Sequence, residues 1–524
     1  MSGEEFTPAD LEHMERLGIT EAEARRQLAI FKKGPRNPRL QRPCTLGDGI
    51  VVLDSNDHER LVARWEKAAA KGRLSEFVPA SGAATRMFAF LQRVRSRLAS
   101  TPPASGVEGD IETDGDKEDF RLFIDSLREF AFFEPLAEAL AQAGISLHDR
   151  MEAGHYKDIL DYLLDAQGLN YGSLPKALIP FHRYPDHSRT ALEEHLVEAT
   201  HTVQDSSQLC RLHFTVSADI EAEVVEQARR AAASYGDRFG VRYELSFSIQ
   251  SPATNTMAVD PENRPFRQQD GSLLFRPGGH GALLENLNQL QGDIVFIKNI
   301  DNVVTDDHRG PVLRHQKVLA GMLLELQDQA FRYLHLLRSG SIKEKDLDEM
   351  LDFVTNDLST SPAENFSRLS VEEKAASLFR LLNRPFRVCG MVKNRGEPGG
   401  GPFWVQEPAN KSSLQIIEGA QVDQSLPEQV AVFNDSTHFS PVRLVCGLRD
   451  FEGQPFNLQE FVDQEAVFIA HKTDHGKKLK ALELPGLWNG GMADWNTVFV
   501  EIPEETFNPV KTINDLLRPA HRAK

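Results

Sequence analysis

Short strand-like runs alternate with amphipathic helical stretches through the first 300 residues of the chain, and this alternation constrains the fold most. The strand-like runs lie at 77–78, 212–216, 243–249 and 294–297, and the amphipathic stretches between them include 190–200 and 220–234. Such alternation predicts an α/β fold with a mainly parallel sheet and helices on its faces. Ligands of these sheets bind at the carboxyl ends of the strands, so the loops that follow the runs are candidate sites.

The chain has 524 residues, which is more than one ordinary core holds, so two or three packed units are expected. Thr7 and Thr20 are predicted to cap two helices of a polar N-terminal segment. A stretch rich in Pro, Gly, Ser and acidic residues at 100–117 predicts a mobile linker. The predicted divisions are an N-terminal helical extension (1–70), an α/β core (71–309) with a helical insertion (100–170), a second helical insertion (310–384), and a strand-rich part that completes the core (385–524).

The net charge of −18 argues against non-specific binding to nucleic acid or to an anionic membrane. It leaves room for a polyanionic ligand wherever cations are concentrated locally. The four cysteines are far apart in sequence, which suits reduced thiols and gives no zinc motif. The N-terminus lacks the features of a signal peptide and no apolar run approaches 18 residues, so we expect a soluble, cytoplasmic protein.

Two cations, Arg86 and Lys176, each lie at the end of a short apolar run. Small residues before Arg86 let backbone N–H groups approach an anion, and the helix N-terminus that follows favours negative charge. The two cations would offset charge on the phosphates of a nucleoside triphosphate. A plain strand-to-helix connection is the alternative, because the loop holds one glycine. The residues predicted to contact the nucleotide here are Ala80, Ser81, Gly82 and Thr85.

A glycine-rich turn around His280 precedes a helix, and a buried strand that ends near Asp301 follows that helix. The glycines, Gly279 among them, permit backbone contact with a flat ligand such as a base, although a capping histidine is the alternative. A carboxylate at the end of a strand suits Mg²⁺, whereas the alternative is an aspartate that caps a turn. Gln250, at the end of another strand-like run, offers its amide to a base edge.

Taken in order, these segments resemble the UDP-sugar pyrophosphorylase family, particularly its UDP-N-acetylglucosamine type, over residues 77–517. Residues 81–86, Ser-Gly-Ala-Ala-Thr-Arg, resemble the family's Gly-Gly-x-Gly-Thr-Arg phosphate loop, with Ser and Ala in place of two glycines. Pro-Lys at 175–176, Asp-Asn at 301–302 and the Phe-x-Pro-x-Lys segment at 507–511 resemble further family motifs. The whole chain also resembles a bacterial family described as a domain of unknown function.

The resemblance implies a Rossmann-like nucleotidyltransferase fold of the glycosyltransferase-A kind, a mixed sheet flanked by helices. It implies Mg²⁺-dependent transfer of a nucleotidyl group from UTP to a sugar 1-phosphate, with release of pyrophosphate. Arg86 and Lys176 would be catalytic and Asp301 would hold Mg²⁺. Residues 71–309 would bind the nucleotide and residues 385–524 the sugar. The implied sugar contacts are Glu418, Asn434 and Asn489, the last also considered as a second oxygen donor to the metal.

Two alternatives stay open at this point. The replacement of two loop glycines allows a protein that binds a nucleotide or a sugar phosphate without catalysis. A pyrophosphorylase that uses another base, guanine or thymine, is the second alternative, whereas the amide of Gln250 and the backbone groups of the turn at Gly279 favour uracil. The two helical insertions are predicted to be lids or interface elements. The sugar and the oligomeric state are not predicted.

Overall fold

The computed structural model describes residues 6–82, 84–100, 114–340, 342–396, 399–407, 411–474 and 476–523. The predicted linker at 100–117 lies mostly outside the described residues. Of the described residues, none belongs to a helix that is both long and apolar enough to cross a membrane.

The α-helices are α1 (Pro8–Leu17), α2 (Glu21–Lys33), α3 (Ser55–Ala70), α4 (Ala89–Ser100), α5 (Asp114–Asp125), α6 (Phe133–Gln142), α7 (Leu147–Glu152), α8 (Tyr156–Leu164), α9 (Ala191–Thr202), α10 (Glu221–Phe239), α11 (Leu283–Leu290), α12 (Arg309–Ser339), α13 (Glu344–Asp352), α14 (Val371–Leu382) and α15 (Pro427–Asn434). The strands are β1 (Arg39–Pro43), β2 (Thr45–Leu46), β3 (Gly49–Val51), β4 (Leu74–Pro79), β5 (Pro180–Arg183), β6 (Ser188–Thr190), β7 (Leu209–Val216), β8 (Arg242–Ile249), β9 (Thr256–Val259), β10 (Phe275–Arg276), β11 (Ile294–Lys298), β12 (Phe386–Lys393), β13 (Gly401–Gln406), β14 (Ser412–Ile417), β15 (His438–Phe439), β16 (Arg443–Gly447), β17 (Phe468–Asp474), β18 (Lys477–Glu483) and β19 (Asn496–Glu501).

The polypeptide divides into two compact units, each assembled from separate stretches of sequence. The first unit comprises Met1–Phe77, Ser248–Ile297 and Gln316–Glu504, and the second comprises Val78–Phe247, Lys298–His315 and Glu505–Lys524. The units therefore cut across the segments predicted from the sequence, because neighbours in space come from distant parts of the chain.

The main sheet of the first unit is mixed. Its strands follow the order β2-β3-β19-β12-β16-β11-β4. The pairs β2–β3, β3–β19, β19–β12 and β11–β4 are parallel, whereas β12 and β16 are antiparallel. The prediction of an α/β fold is confirmed. The sheet is mixed, as the family resemblance implied, and not mainly parallel, as the alternation of strands and helices alone indicated. The short strand β15 pairs antiparallel with β12 at the side of this sheet. The unit also contains two smaller antiparallel sheets, β1-β13-β14 and β10-β9-β18-β17.

The N-terminal segment is less helical than predicted. Helices α1 and α2 begin where expected, because the side chains of Thr7 and Thr20 accept hydrogen bonds from backbone N–H groups of the first turn. Between α2 and α3, however, the chain forms β1, β2 and β3. β1 pairs with β13 and β3 pairs with β19, so the partners of these strands lie more than 300 residues away in sequence. Local sequence pattern does not show such partners.

The second unit contains β5–β8 and a helical block formed by α5–α8. Within this block Phe130 stacks on Phe132 with ring centroids 5.0 Å apart, and both rings are buried. Phe123 and Tyr171 extend the same aromatic cluster, at 5.3 Å from Phe130 and 5.7 Å from Phe132 respectively. These residues give the block its own core.

A buried charged network, hereafter the Glu194 network, lies at the start of α9 in the second unit. The Thr190 side chain and Glu193 form the capping box that begins this helix. Glu194, one residue further on, is 1% exposed and lies 2.8 Å from His182 Nδ1 and 2.5 Å from Arg309. The remaining members are Tyr184, Arg189, Asp306 and His521.

Candidate functional site

The loop that carries Arg86 comes directly after β4 and belongs to the second unit. Ala80, just after the strand, donates its N–H to the carbonyl of Thr215 at 2.9 Å. Ala84–Arg86 then form one 3₁₀ turn that leads into α4. Gly82, Thr85 and Arg86 are exposed, so the loop presents its backbone and its cation to solvent. The strand, small-residue loop and helix predicted for this segment are thus present.

The Arg86 loop (residues 80–86) is tied to the Pro-Lys loop (residues 174–176) by the backbone. The N–H of Ala84 donates to the carbonyl of Leu174 at 3.2 Å, and the N–H of Lys176 donates to the carbonyl of Gly82 at 3.3 Å. The two loops singled out from the sequence therefore lie side by side, although about 90 residues separate them in the chain.

Lys176 and Asp301 meet directly. The Lys176 Nζ atom lies 2.9 Å from Asp301 Oδ2 and also donates to the carbonyl of Val510 at 2.8 Å. Asp301 is 6% exposed. A third residue, Lys511, places its Nζ atom 3.1 Å from the same Oδ2 atom. Two ammonium groups thus converge on one carboxylate oxygen, and we call these three side chains the Asp301 cluster.

The segment that carries Lys511 is docked onto the loop that carries Asp301. The N–H of Val510 donates to the carbonyl of Asp301 at 3.0 Å. The N–H of Asn508 donates to the side-chain oxygen of Asn302 at 2.9 Å. Asn302 therefore holds the backbone of this segment in place.

A local turn fixes Lys511 itself. Asp515 accepts hydrogen bonds from the backbone N–H groups of Lys511 and Thr512, each at 2.7 Å. The next N–H, that of Ile513, donates to the carbonyl of Met87 at 3.0 Å. The segment around Lys511 is therefore bonded both to the Asp301 loop and to the residue that follows Arg86.

The charges of the Asp301 cluster do not balance. Burial lowers the pKa of the Lys176 ammonium, and Lys511 and Arg86 add to this effect, while Asp301 opposes it. Burial acts to raise the pKa of the Asp301 carboxyl, but Lys176 and Lys511 outweigh it and the pKa is lowered. Two cations therefore act on the Asp301 carboxylate, and a third, Arg86, acts on Lys176. The side chain of Lys511 is 59% exposed, against 13% for Lys176, so one of the two lysines is accessible to a ligand.

The second oxygen of Asp301 bears on the predicted magnesium site. Both lysines contact Oδ2, and Oδ1 is buried without a hydrogen-bond partner among the described residues. No group of three or more His, Cys, Asp or Glu side chains that could hold a metal occurs in the described part of the chain. Asp301 Oδ1 fits an Mg²⁺ ion that takes its other oxygens from phosphates and water, which is the usual coordination of Mg²⁺ in phosphate-handling sites.

His280 lies in the first unit, in a tight turn that needs its glycines. Gly279 has a φ of +76°, and a Cβ at Gly281 would lie 2.3 Å from the carbonyl oxygen of Pro485. The His280 ring stacks on Trp488, with centroids 4.2 Å apart and an interplanar angle of 15°. A Cβ at Gly486 would lie 2.4 Å from the His280 ring, so this glycine makes the stack possible.

Glu418 joins the same cluster of the first unit. Its Oε1 atom lies 3.5 Å from His280 Nε2. Burial acts to raise the pKa of the Glu418 carboxyl, but hydrogen bonds from His280 and Trp488 outweigh it and the pKa is lowered. Asn489, next to Trp488, is buried and donates its amide to the carbonyl of Ile416 at 2.9 Å. His280, Glu418, Trp488 and Asn489 thus form a second constellation.

Two of the predicted site residues lie apart from these constellations, as judged from their described hydrogen bonds and positions. Gln250 is half-buried and its amide donates to Thr254 Oγ1 at 3.4 Å. Asn434 is the exposed last residue of α15. Sequence reasoning gave no role to Trp488, and it used Lys511 only as part of a family motif. For Lys511, the one signal in the sequence was its position four residues after Phe507.

The fold and the described sites define a mixed α/β protein with a cation-rich loop site centred on one buried carboxylate. Residues 7–522 match the family described as a domain of unknown function, DUF4301, and the chain belongs to that family. This confirms the second resemblance noted from the sequence. A comparison with curated proteins gave no match.

Solved structures similar to this chain include two pyrophosphorylases. One is a point mutant of UDP-glucose pyrophosphorylase from Leishmania major in complex with UDP-glucose, with 13% identity, 98% of this chain and 78% of that chain covered, and a TM-score of 0.46. The other is the UDP-N-acetylglucosamine pyrophosphorylase from Trypanosoma brucei in complex with an inhibitor, with 13% identity, 98% and 79% covered, and a TM-score of 0.48.

Proposed function

We propose that this protein is a sugar-1-phosphate uridylyltransferase that forms a UDP-sugar and pyrophosphate from UTP and a sugar 1-phosphate. The observation that carries the proposal is the convergence of Lys176 and Lys511 on one oxygen of the buried Asp301, beside the loop of Arg86. The motif resemblance supports the choice of UTP and of a sugar 1-phosphate.

A purely structural ion pair does not need the second lysine. One ammonium balances one carboxylate, and the side chain of the second lysine, Lys511, is 59% exposed and remains available to an anion. Burial already lowers the pKa of Lys176, so an anionic ligand would stabilise its charged form. In a chain with a net charge of −18, a local excess of cations favours a strongly anionic ligand such as a triphosphate.

The reaction needs no general base. An oxygen of the sugar 1-phosphate attacks the α-phosphorus of UTP, the bond from that phosphorus to the oxygen bridging to the β-phosphate breaks, and pyrophosphate leaves with both electrons of that bond. The nucleophile is already anionic, so positioning and charge stabilisation carry the catalysis. Arg86 would hold the β- and γ-phosphates and the leaving pyrophosphate, and Lys176 would stabilise charge on the α-phosphoryl group.

Lys511 and Asp301 complete the proposed phosphate site. The exposed ammonium of Lys511 would turn from Asp301 towards a bound phosphate, leaving Lys176 paired with the carboxylate. Asp301 Oδ1 is the atom that would hold Mg²⁺. When bound, Mg²⁺ would offset charge on the triphosphate.

Residues of the first unit are proposed to recognise the base and the sugar, although two of them, Gln250 and Asn434, lie apart from the constellation around His280. Gly279, His280 and Gln250 would contact the base, and Glu418, Asn434 and Asn489 would hydrogen-bond the sugar. We keep the assignment of residues 71–309 to nucleotide binding and of residues 385–524 to sugar binding as part of this proposal.

Pyrophosphate release tests the proposal. The protein is incubated with each common nucleoside triphosphate and a panel of sugar 1-phosphates, with Mg²⁺ or with EDTA, and the nucleotide product is identified by mass. We expect release with UTP, matched by an equal amount of UDP-sugar, and none with EDTA. A preference for GTP or dTTP would overturn the choice of base. UTP binding without any release would instead support the non-catalytic alternative, which the replaced loop glycines Ser81 and Ala84 favour.

A further inference from the structure

Arg387 of β12 is a fully buried guanidinium in the first unit. It is 0% exposed, and its described hydrogen bonds go to neutral groups only. Nε donates to Thr497 Oγ1 at 2.8 Å and Nη1 donates to the carbonyl of Trp488 at 2.6 Å. Nη2 has no hydrogen-bond partner among the described residues. No carboxylate of the described part pairs with this charge.

The surroundings of Arg387 do little to compensate it. Arg387 lies in register with Cys446 on one neighbouring strand and with Thr497 on the other. Burial lowers the pKa of the guanidinium, and the thiols of Cys389 and Cys446 oppose that shift only in part. A charge in the interior without a counter-charge is unfavourable for folding, and a neutral side chain of similar volume is often tolerated as well or better. Stability therefore does not account for an arginine at this position.

The hydrogen bond from Arg387 to Trp488 indicates a role for the buried charge. The carbonyl of Trp488 accepts a hydrogen bond from Arg387, and the Trp488 ring stacks on His280, whose Nε2 atom lies 3.5 Å from Glu418. Arg387 thus fixes the backbone of the residue whose ring packs against His280, the group proposed to contact the base. A charged donor makes a stronger and more directional bond to a carbonyl than a neutral one does.

We propose that Arg387 is a positioning residue. It holds Trp488 so that the indole orients His280, and through His280 the neighbouring Glu418, for the nucleotide sugar, at the expense of folding stability. The inference rests on the proposed function for its substrate, and on the observed contacts for the arrangement of the aromatic pair.

The test compares Arg387→Met, Arg387→Lys and the matched control Thr497→Val. Methionine keeps much of the volume and removes the charge and every donor. Valine at 497 removes the hydroxyl that accepts from Arg387 Nε and leaves the bond to the backbone carbonyl of Trp488 in place. Three measurements are made on each protein: Tm, the near-ultraviolet circular dichroism of the tryptophans with Trp488→Phe as reference, and KM and kcat with UTP and the sugar 1-phosphate found to be active.

We expect Arg387→Met to have a Tm equal to or above that of the parent and to lose the dichroism that Trp488→Phe identifies. Its KM for the sugar 1-phosphate should rise about tenfold while kcat changes less than about threefold, as expected when binding geometry and not chemistry is affected. Arg387→Lys should fall between Arg387→Met and the parent, and Thr497→Val should match the parent in dichroism and KM.

Three results would overturn the inference: Arg387→Met fails to fold or has a clearly lower Tm, it keeps the Trp488 dichroism, or it keeps the parental KM. Failure of the proposed function is a separate outcome. If the parent protein releases no pyrophosphate with any pair of substrates, the Tm and the dichroism still decide whether Arg387 sets the aromatic pair at the cost of stability.

Discussion

The second unit contains two charged clusters, each built around one buried carboxylate, that differ in how completely their charges are satisfied. In the Glu194 network two carboxylates, Glu194 and Asp306, contact two guanidinium groups, those of Arg189 and Arg309. In the Asp301 cluster two ammonium groups share a single carboxylate oxygen, and the other oxygen has no partner among the described residues. A balanced network stabilises the fold, whereas an unbalanced one keeps its capacity to bind an anion.

The largest effect on stability should come from the balanced network. Glu194→Gln leaves two buried arginines with one carboxylate fewer, which should lower the free energy of unfolding by about 3 kcal/mol. Urea unfolding followed by circular dichroism measures this loss. The control is Glu226→Gln, which makes the same change in an exposed ion pair with Arg230 on α10 and should alter stability by less than about 0.5 kcal/mol. If Glu194→Gln kept its stability but lost turnover, the contrast between the clusters would be wrong.

The largest effect on activity should come from the unbalanced cluster. Lys176→Met and Arg86→Ala should each lower turnover by at least about a hundredfold, because each removes a preorganised charge from the phosphates. Unfolding free energy should change little by comparison. Lys157→Met is the matched control, since Lys157 forms a half-buried ion pair with Asp161 on α8. Parental turnover in Lys176→Met or in Arg86→Ala would remove the catalytic assignment of that residue.

Lys511→Met should have a smaller effect on the same assay. Its ammonium is more exposed than that of Lys176 and is better screened, so we expect kcat to fall about tenfold. The KM for UTP should rise about tenfold as well. Added salt should reduce the differences in kcat and KM between the variant and the parent. An effect as large as that of Lys176→Met would mean that the two lysines act as one unit.

The smallest expected effect is a pH dependence that separates the clusters. Burial acts to raise the pKa of Glu194, but His182 and the arginines outweigh it, so the pKa is lowered from its ordinary value of 4.5. The folded protein then binds fewer protons than the unfolded chain near that pH, so this stabilisation is complete above about 4.5 and is lost as the pH falls through the folded pKa. The stability difference between the parent and Glu194→Gln should therefore shrink from pH 6 towards pH 3.5 in urea titrations. A difference that stays constant would contradict the ionised state of Glu194.

The sequence predicted local features of the candidate site better than it predicted their partners. The turn before Arg86 and the strand before Asp301 have local patterns, and the carboxyl-end rule places the loops after the parallel strands β4 and β11 at the same edge of the sheet. The Pro-Lys loop precedes β5 and does not follow a strand, so its position beside the Arg86 loop is not given by this rule. The contact of Lys511 with Asp301 spans 210 residues and could not be read from spacing. No role was predicted for Trp488, because a single tryptophan in a glycine-rich turn is explained simply by packing.

The strands of the N-terminal segment were missed for the same reason. β1 and β3 are short, and each is stabilised by a partner beyond residue 400. The antiparallel β12–β16 pair likewise depends on long-range pairing, so alternation indicated a mainly parallel sheet where a mixed one forms. Periodicity reports which face of a segment is buried and not which strand lies beside it.

The docking of the segment around Lys511 has a consequence for how the protein matures during translation. Asp301 and Lys176 are synthesised long before Lys511, and their contacts with Val510 and Lys511 can form only after residue 511 has left the ribosome. Domains fold from the N-terminus as the chain emerges, yet the contacts around Asp301 need a lysine that is synthesised 210 residues later. A nascent chain would therefore hold Asp301 and Lys176 without these contacts while the intervening residues are being made.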